Sequence, residues 1–364
     1  MIELQRLRDL LERLTQLPGV SGMEQPVVRA LYEALRPFAD KVEIDAFGNV
    51  IASRHGDENG PRLMIAAHSD EVGAVVTNID PKGFLRFRTV GAINSSVLPG
   101  TRVRVAERYI GVIGSIPGHI TSSATTQEVL PPSALHIDIG AGSDEEARAW
   151  GVCEGTGVVF ESPLVDMEGS HLVMGKAIDN RIGCAVLIAA FEALAGVSLP
   201  VQLHGVINVQ EEIGMRGAHM TTAQVEPDYA IVLDTVPAED TPMAAGHGAN
   251  FRIGAGPVVQ LWEGRADLFL GTVAHPGVRD LILKTAEDEG ISVQLSAAYG
   301  LWLTDGAAIH VAGKGVPTGF ISIPRRYAHT PNEILDIRDA QRAATLIEAI
   351  ACRSGSGFRA VFLE

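Results

Sequence analysis

The sequence predicts an α/β fold that carries a second, β-rich domain as an insert. Short continuous apolar runs alternate with helical patterns in the first and last parts of the chain, which is typical of a mostly parallel sheet covered by helices. Between these parts, short β-rich pieces separated by turns indicate a small barrel or sandwich. We therefore expect an α/β domain over residues 1–71 and 166–364, interrupted by a β-barrel-like domain over 72–165.

The first predicted elements lead to a buried strand that ends at a histidine. Leucines recur every three or four residues at the start of the chain and predict an amphipathic helix, which LPGVSG (17–22) ends. A second helix follows. VEIDAFGNVIAS (42–53) is typical of a hairpin, and the apolar run RLMIAAH (62–68) is typical of a buried strand. This strand has His68 at its carboxyl end.

The predicted insert consists of short β-rich segments and not of alternating strands and helices. GAVVTNIDPKGFLRF (73–87) and RVRVAER (102–108) are short β-rich pieces bounded by turn residues. A single helix interrupts them, because Ser143 followed by Glu146 is a capping box. We expect this helix to end at Gly151.

The α/β pattern resumes near residue 166. VQLHGVINVQ (201–210), DYAIVLD (228–234) and VPTGFISIP (316–324) are predicted to be buried strands. Helices are predicted through IGCAVLIAAFEALAG (182–196) and VRDLILKTAEDEG (278–290), each ended by a glycine. The alternation completes the predicted α/β domain.

Composition and charge exclude several classes of protein. Lysine and arginine number 29 against 44 aspartates and glutamates, and the formal net charge of −15 disfavours nucleic acid and membrane partners. The amphipathic start is not a signal peptide, and no apolar run approaches the roughly 18 residues of a membrane span. The three cysteines form no CxxC pair, which favours a reducing compartment. We expect a cytoplasmic protein.

Polar side chains cluster where the predicted strands end. The clusters are His68-Ser-Asp70-Glu71, Asp179-Asn180-Arg181, Glu211-Glu212, Asp234 and, after the last predicted strand, His329. In open α/β sheets, ligands bind in the crevice at the carboxyl ends of the strands. We therefore expect these side chains to converge on one site.

Imidazoles and carboxylates are the ligands of zinc and its first-row neighbours, and a carboxylate can bridge two ions. Asp70 lies two residues after His68 and could accept the imidazole proton. Glu211 and Glu212 point in different directions on an extended backbone, so one could hold a metal while the other acts as a general base. Taken singly, each cluster has a plainer interpretation. Asp179, for example, could serve only as a helix N-cap.

Several motifs in one order resemble the tetrahedral, or glutamyl-aminopeptidase-like, dinuclear metallopeptidases. They are HSDEVG (68–73), GKAIDNRIGCAVL (175–187), QEEIGMRGA (210–218), VLDTVPAED (232–240), TDGAAIH (304–310) and IPRRYAHTPNEILD (323–336). The likeness covers almost the whole chain. It departs at SAAYGLWLTDG (296–306), where the family has a glycine-rich run, and at Asn180, where many members have a second acid.

The resemblance implies a role for each clustered residue. His68, Asp179 and Asp234 would hold one divalent metal ion, and Asp179, Glu212 and His329 would hold a second. The two ions are expected to be zinc or cobalt.

The resemblance also implies an activity and an assembly. Glu211 would be the general base and acid, with Asp70 behind the histidine ligand. Members of the family remove N-terminal residues from peptides, and some were formerly labelled endoglucanases. The β-rich domain would mediate dimerisation, and six dimers would form a dodecamer that restricts access to short peptides.

Three other functions remain open from the sequence. A glycosidase also uses two carboxylates, but it explains neither His68 nor His329. An amidase or deacylase could use the same metal site on a non-peptide amide. A metal-stabilised scaffold without catalysis has no use for an unligated base such as Glu211. The adjacent Arg325 and Arg326 could favour acidic substrate side chains, or could be a surface or interface feature.

Overall fold

The computed structural model describes residues 2–116, 129–242, 244, 250–355 and 358–362. Within them, the chain forms one large mixed sheet covered by helices and a separate closed antiparallel barrel. The predicted fold class, an α/β protein with an additional small β-barrel, is therefore confirmed. Residues 117–128, which belong to the predicted insert, lie outside the described residues.

The elements have the following bounds. The helices are α1 (Leu4–Thr15), α2 (Gln25–Leu35), α3 (Asp144–Ala149), α4 (Ile178–Ala193), α5 (Arg216–Val225), α6 (Pro276–Asp288), α7 (Gly306–Ile309) and α8 (Ile337–Arg353). The strands of the large sheet are β1 (Lys41–Ile44), β2 (Val50–Arg54), β3 (Arg62–His68), β10 (Val165–Asp166), β11 (Leu172–Gly175), β12 (Gln202–Asn208), β13 (Tyr229–Pro237), β14 (Val258–Arg265), β15 (Leu270–Val273), β16 (Gln294–Ala297), β17 (Thr318–Arg326) and β18 (Glu333–Asp336). The barrel strands are β4 (Gly73–Ile79), β5 (Leu85–Val90), β6 (Arg102–Val105), β7 (Tyr109–Gly114), β8 (His136–Asp138) and β9 (Gly157–Phe160).

The large sheet is parallel at its centre and antiparallel at its flanks. Its order is β1-β2-β12-β3-β13-β17-β18-β11-β10, and the central strands β12, β3, β13 and β17 run parallel. Strands β14, β15 and β16 form a branch that joins the main sheet through β17. Because the parallel strands share one direction, their carboxyl ends meet at one edge.

Both faces of the central strands are buried, as their continuous apolar sequences predict. On β3, Leu63 and Ile65 pack into the layer that contains α4, whereas Met64 and Ala66 pack toward α5 and α7. All four are fully buried. Each buried leucine, isoleucine or methionine side chain contributes about 1.5–3 kcal/mol relative to exposure. This two-sided burial fixes β3 and, with it, the histidine at its end.

The predicted Ser143 cap of the helix in the barrel region is confirmed, whereas the Glu146 carboxylate accepts the backbone N–H of Gly142 at 2.7 Å. The Ser143 hydroxyl accepts a hydrogen bond from the backbone N–H of Glu146 at 3.2 Å, and Gly151 follows the helix with a φ of 86°. The barrel has its own apolar core, which includes Leu85 and Phe87. Among the described helices, none is both long enough and apolar enough to cross a lipid bilayer.

Candidate metal centre

The parallel strands bring three of the predicted clusters together. His68 is the last residue of β3 and lies in register with Asn208, the last residue of β12. Glu211 and Glu212 follow in the next loop, so they lie beside the histidine. Asp234 lies on β13, the other neighbour of β3. The convergence predicted from strand ends is therefore present in the fold.

The remaining two clusters, around Asp179 and His329, lie at the same edge of the sheet. One buried carboxylate, which the sequence did not indicate, holds the backbone of both. Glu333 begins β18 and is buried. It accepts hydrogen bonds from the backbone N–H of Asp179 at 3.0 Å and of His329 at 2.9 Å. Asp179 lies where α4 starts with non-helical dihedral angles, and His329 has a left-handed φ of 57°. Glu333 lies inside the motif IPRRYAHTPNEILD (323–336). Its role depends on the directions of two backbone N–H groups, which the residue types in a motif do not reveal.

The five predicted ligands form two groups that share Asp179. In the first, His68 Nε2 lies 3.4 Å from Asp179 Oδ1 and 3.6 Å from Asp234 Oδ1. In the second, His329 Nε2 lies 3.2 Å from Asp179 Oδ2 and 3.4 Å from Glu212 Oε1. Within each group, one potential ligand atom from each residue lies within 4.8 Å of those from the other two. Asp179 therefore directs one oxygen to each imidazole.

The chemistry of these donors fits divalent cations. Ligand bonds of about 2.0–2.2 Å in a tetrahedral site separate neighbouring donor atoms by about 3.3–3.6 Å, and the distances above are similar. Among the described residues, the buried Asp179 Oδ1 and Glu212 Oε1 have no hydrogen-bond partner, which is costly unless a cation compensates them. His329 Nδ1 lies 2.8 Å from the carbonyl oxygen of Ala92, so its Nε2 is free to face the carboxylates.

The pKa values of the site reflect this crowding of charge. Burial opposes the charged form of His68, but nearby carboxylates, Asp234 first, raise the pKa of its imidazole well above the usual value. Burial raises the pKa of Glu212 to about 8 and that of Glu211 well above its ordinary value. Burial also opposes the charged form of His329, whose pKa the Glu212 carboxylate nevertheless raises to about 9. The carboxylates of the site thus favour bound positive charge.

Asp70 contacts both the histidine and the two glutamates. Its Oδ1 lies 3.4 Å from His68 Nδ1 and accepts the backbone N–H of Glu211 at 2.9 Å. Its Oδ2 accepts the backbone N–H of Glu212 at 3.1 Å and the Ser21 hydroxyl at 2.6 Å. The sequence predicted that Asp70 lies behind His68. It did not predict that Asp70 also accepts the backbone N–H groups of Glu211 and Glu212 and so anchors their loop.

A cavity of about 340 Å³ opens onto the two groups. The side chain of Glu211 lines it and is 11% exposed, with Oε2 at 3.9 Å from His68 Nε2. Glu212 faces His329 instead. The adjacent glutamates therefore point to different parts of the site. The backbone there is not extended, contrary to the sequence-based expectation, because the Glu211 carbonyl oxygen accepts the backbone N–H groups of Gly214 and Met215, each at 2.8 Å, in a turn.

A second buried network supports the loop that follows β3. Lys176 Nζ donates to both carboxylate oxygens of Glu71 at 2.8 Å. The guanidinium of Arg181 lies 3.3 Å from Glu71 and donates to the backbone carbonyl of Leu17. All three charged side chains are buried. This network ties the end of the N-terminal helix to the candidate metal centre.

The chain matches known aminopeptidases along almost its whole length. The family model described as M42 glutamyl aminopeptidase matches residues 48–346. A putative aminopeptidase of Acetivibrio thermocellus is 36% identical over 346 residues, which cover 94% of this chain and 98% of the relative. The lysyl aminopeptidase of Pyrococcus furiosus is 31% identical over 348 residues, covering 94% of this chain and 96% of the relative.

Solved structures give the same result. The aminopeptidase APDkam598 from Desulfurococcus kamchatkensis superposes with a TM-score of 0.92 at 33% identity, covering 99% of each chain. The TET1 peptidase of Pyrococcus horikoshii, which can assemble into a tetrahedron or a large octahedral shell, gives 0.84 at 30% identity and covers 95% of this chain and 99% of that one. Because the family model and its relatives span nearly the whole sequence, this chain belongs to the M42 glutamyl aminopeptidase family and is a metal-dependent aminopeptidase.

Proposed function

We propose that the protein is a dinuclear metalloaminopeptidase, with zinc or cobalt as the two ions. His68, Asp179 and Asp234 hold one ion, and Asp179, Glu212 and His329 hold the other. The observation that carries this assignment is the position of Asp179, whose Oδ1 faces one imidazole and whose Oδ2 faces the other. A single carboxylate shared between two imidazole-carboxylate groups can bridge a pair of ions that lie a few ångströms apart.

When bound, such a pair supplies Lewis acidity, which polarises a peptide carbonyl and makes water reactive near neutral pH. Glu211 is the general base: its carboxylate lines the cavity and takes the proton of the attacking water. It then returns the proton to the leaving amine. Asp70 orients the imidazole of His68 and holds the backbone of Glu211.

The proposed substrates are short peptides with a free N-terminus. An amidase acting on a non-peptide amide would use the same residues, so substrates must separate the two functions. Hydrolysis of aminoacyl p-nitroanilides and of short peptides, with no hydrolysis of their N-acetylated forms, is expected of an aminopeptidase. Preference for a blocked amide would instead support the amidase.

We also propose that residues 72–165 mediate dimerisation and that dimers assemble into a dodecamer. The Pyrococcus horikoshii relative, which can assemble into a tetrahedron or a large octahedral shell, supports assembly into a large particle. Light scattering is expected to give a particle much larger than the 38.6 kDa chain. A cytoplasmic location is proposed as well. The free, exposed thiols of Cys153 and Cys352 support it, because such thiols persist in reducing compartments.

Metal removal tests the central proposal. Dialysis against a chelator should abolish hydrolysis of leucyl p-nitroanilide, and zinc or cobalt should restore it. Elemental analysis should then find two ions per chain. Full activity in protein shown to contain no metal would refute the assignment, and one ion per chain at saturation would refute the dinuclear site.

A further inference from the structure

Glu24 is a buried carboxylate, between α1 and α2, that the proposed mechanism does not use. It directly precedes α2, is 5% exposed and does not cap its own helix through its side chain. Its Oε1 accepts instead the backbone N–H groups of Gly22 at 2.8 Å and of Gln210 at 3.1 Å. Among the described residues, it pairs with no lysine, arginine or histidine. Burying a carboxylate without a cation is costly, so its contact with the distant Gln210 needs an explanation beyond the helix.

Gln210 needs a partner of this kind because its backbone is left-handed. Its φ is 58°, a conformation that is costly for any residue with a Cβ atom. Rotating the peptide plane between Val209 and Gln210 by about half a turn would bring this φ back to negative values. The structure opposes this rotation on both sides of the peptide. The carbonyl oxygen of Val209 accepts the N–H of Gly217 at 3.0 Å, and Glu24 accepts the N–H of Gln210.

The chain on either side of this peptide is held separately. Asn49 Oδ1 accepts the N–H of Val209 at 3.0 Å, and Asp70 Oδ1 accepts the N–H of Glu211 at 2.9 Å. Gln210 is therefore the one residue between two anchored N–H groups, and its dihedral angles set the direction in which the chain continues. Because the next residue is the proposed general base, a change at Gln210 would move the Glu211 carboxylate within the cavity.

The segment before α2 holds the other anchor of this loop as well. The Ser21 hydroxyl donates to Asp70 Oδ2 at 2.6 Å. Asp70 and Glu24 together therefore receive three successive N–H groups, those of residues 210, 211 and 212. Glu24 is not among the described residues that line the cavity. Any effect on the reaction must then pass through the backbone of Gln210.

We propose that Glu24 is a positioning residue for peptide hydrolysis, which keeps Gln210 left-handed and thereby directs Glu211 into the cavity. The inference rests on the proposed role of Glu211 as general base. The group that Glu24 supplies is an acceptor oxygen and not a negative charge. Burial raises the pKa of Glu24 to about 7, so near neutral pH much of the protein carries an uncharged carboxyl group, which still offers this oxygen.

Three substitutions of Glu24 separate the acceptor oxygen from the charge. Glu24→Gln keeps the oxygen and should retain kcat for leucyl p-nitroanilide within about threefold. Glu24→Met has similar length but no acceptor, and Glu24→Asp keeps the charge but is too short to reach Gln210. Both should lower kcat by roughly 10- to 100-fold with little change in KM, because a misplaced base slows the chemical step. Aspartate is a favourable N-cap residue, so Glu24→Asp keeps the test available if Glu24→Met is unstable.

A double-mutant cycle tests whether Glu24 acts through the backbone of Gln210. Glycine adopts a positive φ without steric cost, so Gln210→Gly removes the tendency of this peptide to rotate. In the Gln210→Gly background, the loss of kcat caused by Glu24→Met should be smaller by a factor of about five or more. Elemental analysis at saturating zinc should find the wild-type metal content in every variant, because Asp70 still holds Glu211 and Glu212.

Asp339→Leu is the matched control for lost stability. Asp339 is also buried, and it accepts the backbone N–H groups of Gly254 and Gly256 at 2.6 Å and 2.8 Å without lining the cavity. This variant should unfold at a lower denaturant concentration, while its kcat stays within about threefold of wild type.

Distinct results would overturn the proposal. Wild-type kcat in both Glu24→Met and Glu24→Asp would show that Gln210 keeps its conformation unaided. Equal losses in the two backgrounds, or an equally large loss in Glu24→Gln, would show that an acceptor oxygen acting through Gln210 is not the cause. Loss of metal in parallel with kcat would show that Glu24 supports the ligands and not the base. Normal kcat in Glu211→Gln would instead refute the role of Glu211, and inactivity of metal-loaded wild type would refute the proposed function.

Discussion

Replacing Asp70 by asparagine removes the anchor of the loop that carries both glutamates of the centre. In the native side chain, Oδ1 accepts the N–H of Glu211, and Oδ2 accepts the N–H of Glu212 and the hydroxyl of Ser21. Asparagine has the same shape but only one oxygen. Whichever way the asparagine amide is turned, its NH₂ group faces the backbone N–H of either Glu211 or Glu212, so one of these two donors loses its acceptor.

The structure fixes the expected size of this effect. Asp70 is fully buried, so water cannot replace the lost acceptor. One unsatisfied buried donor costs about 1–3 kcal/mol, which corresponds to a factor of about 5 to 150 in an equilibrium constant. Because the loop positions Glu212 and the lost oxygen also faces His68 or Ser21, we expect metal affinity to fall by about 10- to 100-fold. The free energy of unfolding should fall by about 1–3 kcal/mol.

Competition with a chromophoric chelator measures the metal affinity, and denaturant unfolding measures the stability. Asp339→Asn is the matched control. Asp339 is a buried carboxylate on α8 that accepts the N–H groups of Gly254 and Gly256 at 2.6 Å and 2.8 Å, and it does not contact the metal centre. The control should lose stability and keep its metal affinity. Wild-type metal affinity in Asp70→Asn would refute the reasoning.

Three other predictions test the adjacent glutamates, a buried ion pair and the pH dependence of stability. Glu212→Gln should lose metal, whereas Glu211→Gln should keep both ions and lose about 10²- to 10⁴-fold in kcat; the opposite metal contents would reverse the assignment. Lys176→Met leaves the Glu71 carboxylate without its main partner and should lower the free energy of unfolding by about 3 kcal/mol, while a loss below about 1 kcal/mol would contradict this. Burial raises the pKa of Glu263 to about 8, so between about pH 4.5 and 8 the folded state binds more protons and stability falls as pH rises, by about 1.4 kcal/mol per unit at most. Glu263→Gln should reduce the slope measured in unfolding titrations, while the part that Glu212 contributes remains; an unchanged slope would assign it to other groups.

The position of the centre follows from rules that operate on short stretches of sequence. RLMIAAH and DYAIVLD are buried on both faces and run parallel, so His68 and Asp234 must reach the same sheet edge. The pairing of the strands at the flanks of the sheet does not follow from short stretches of sequence. Strands β11 and β18 are short and pair antiparallel between distant segments, and the branch formed by β14, β15 and β16 depends on tertiary contacts.

The supporting residues of the centre could not be predicted in the same way. Glu333 orients Asp179 and His329 through their backbone N–H groups, and nothing in the sequence indicates which carboxylate accepts them. The sequence also treats Arg325 and Arg326 alike. Only the fold determines that Arg325 is buried beside the metal centre while Arg326 pairs with Asp240 near the surface.

The shared carboxylate of Asp179 makes the two proposed ion sites thermodynamically dependent on each other. An ion held by the first group would restrict the torsion of the Asp179 carboxylate, which also faces His329, so the affinity of the second group would change with occupancy of the first. Linkage requires the effect to be reciprocal. Calorimetric titration should therefore show two unequal steps instead of two identical sites. A substitution at His329, which is not a proposed ligand of the first ion, should still alter the binding constant measured there.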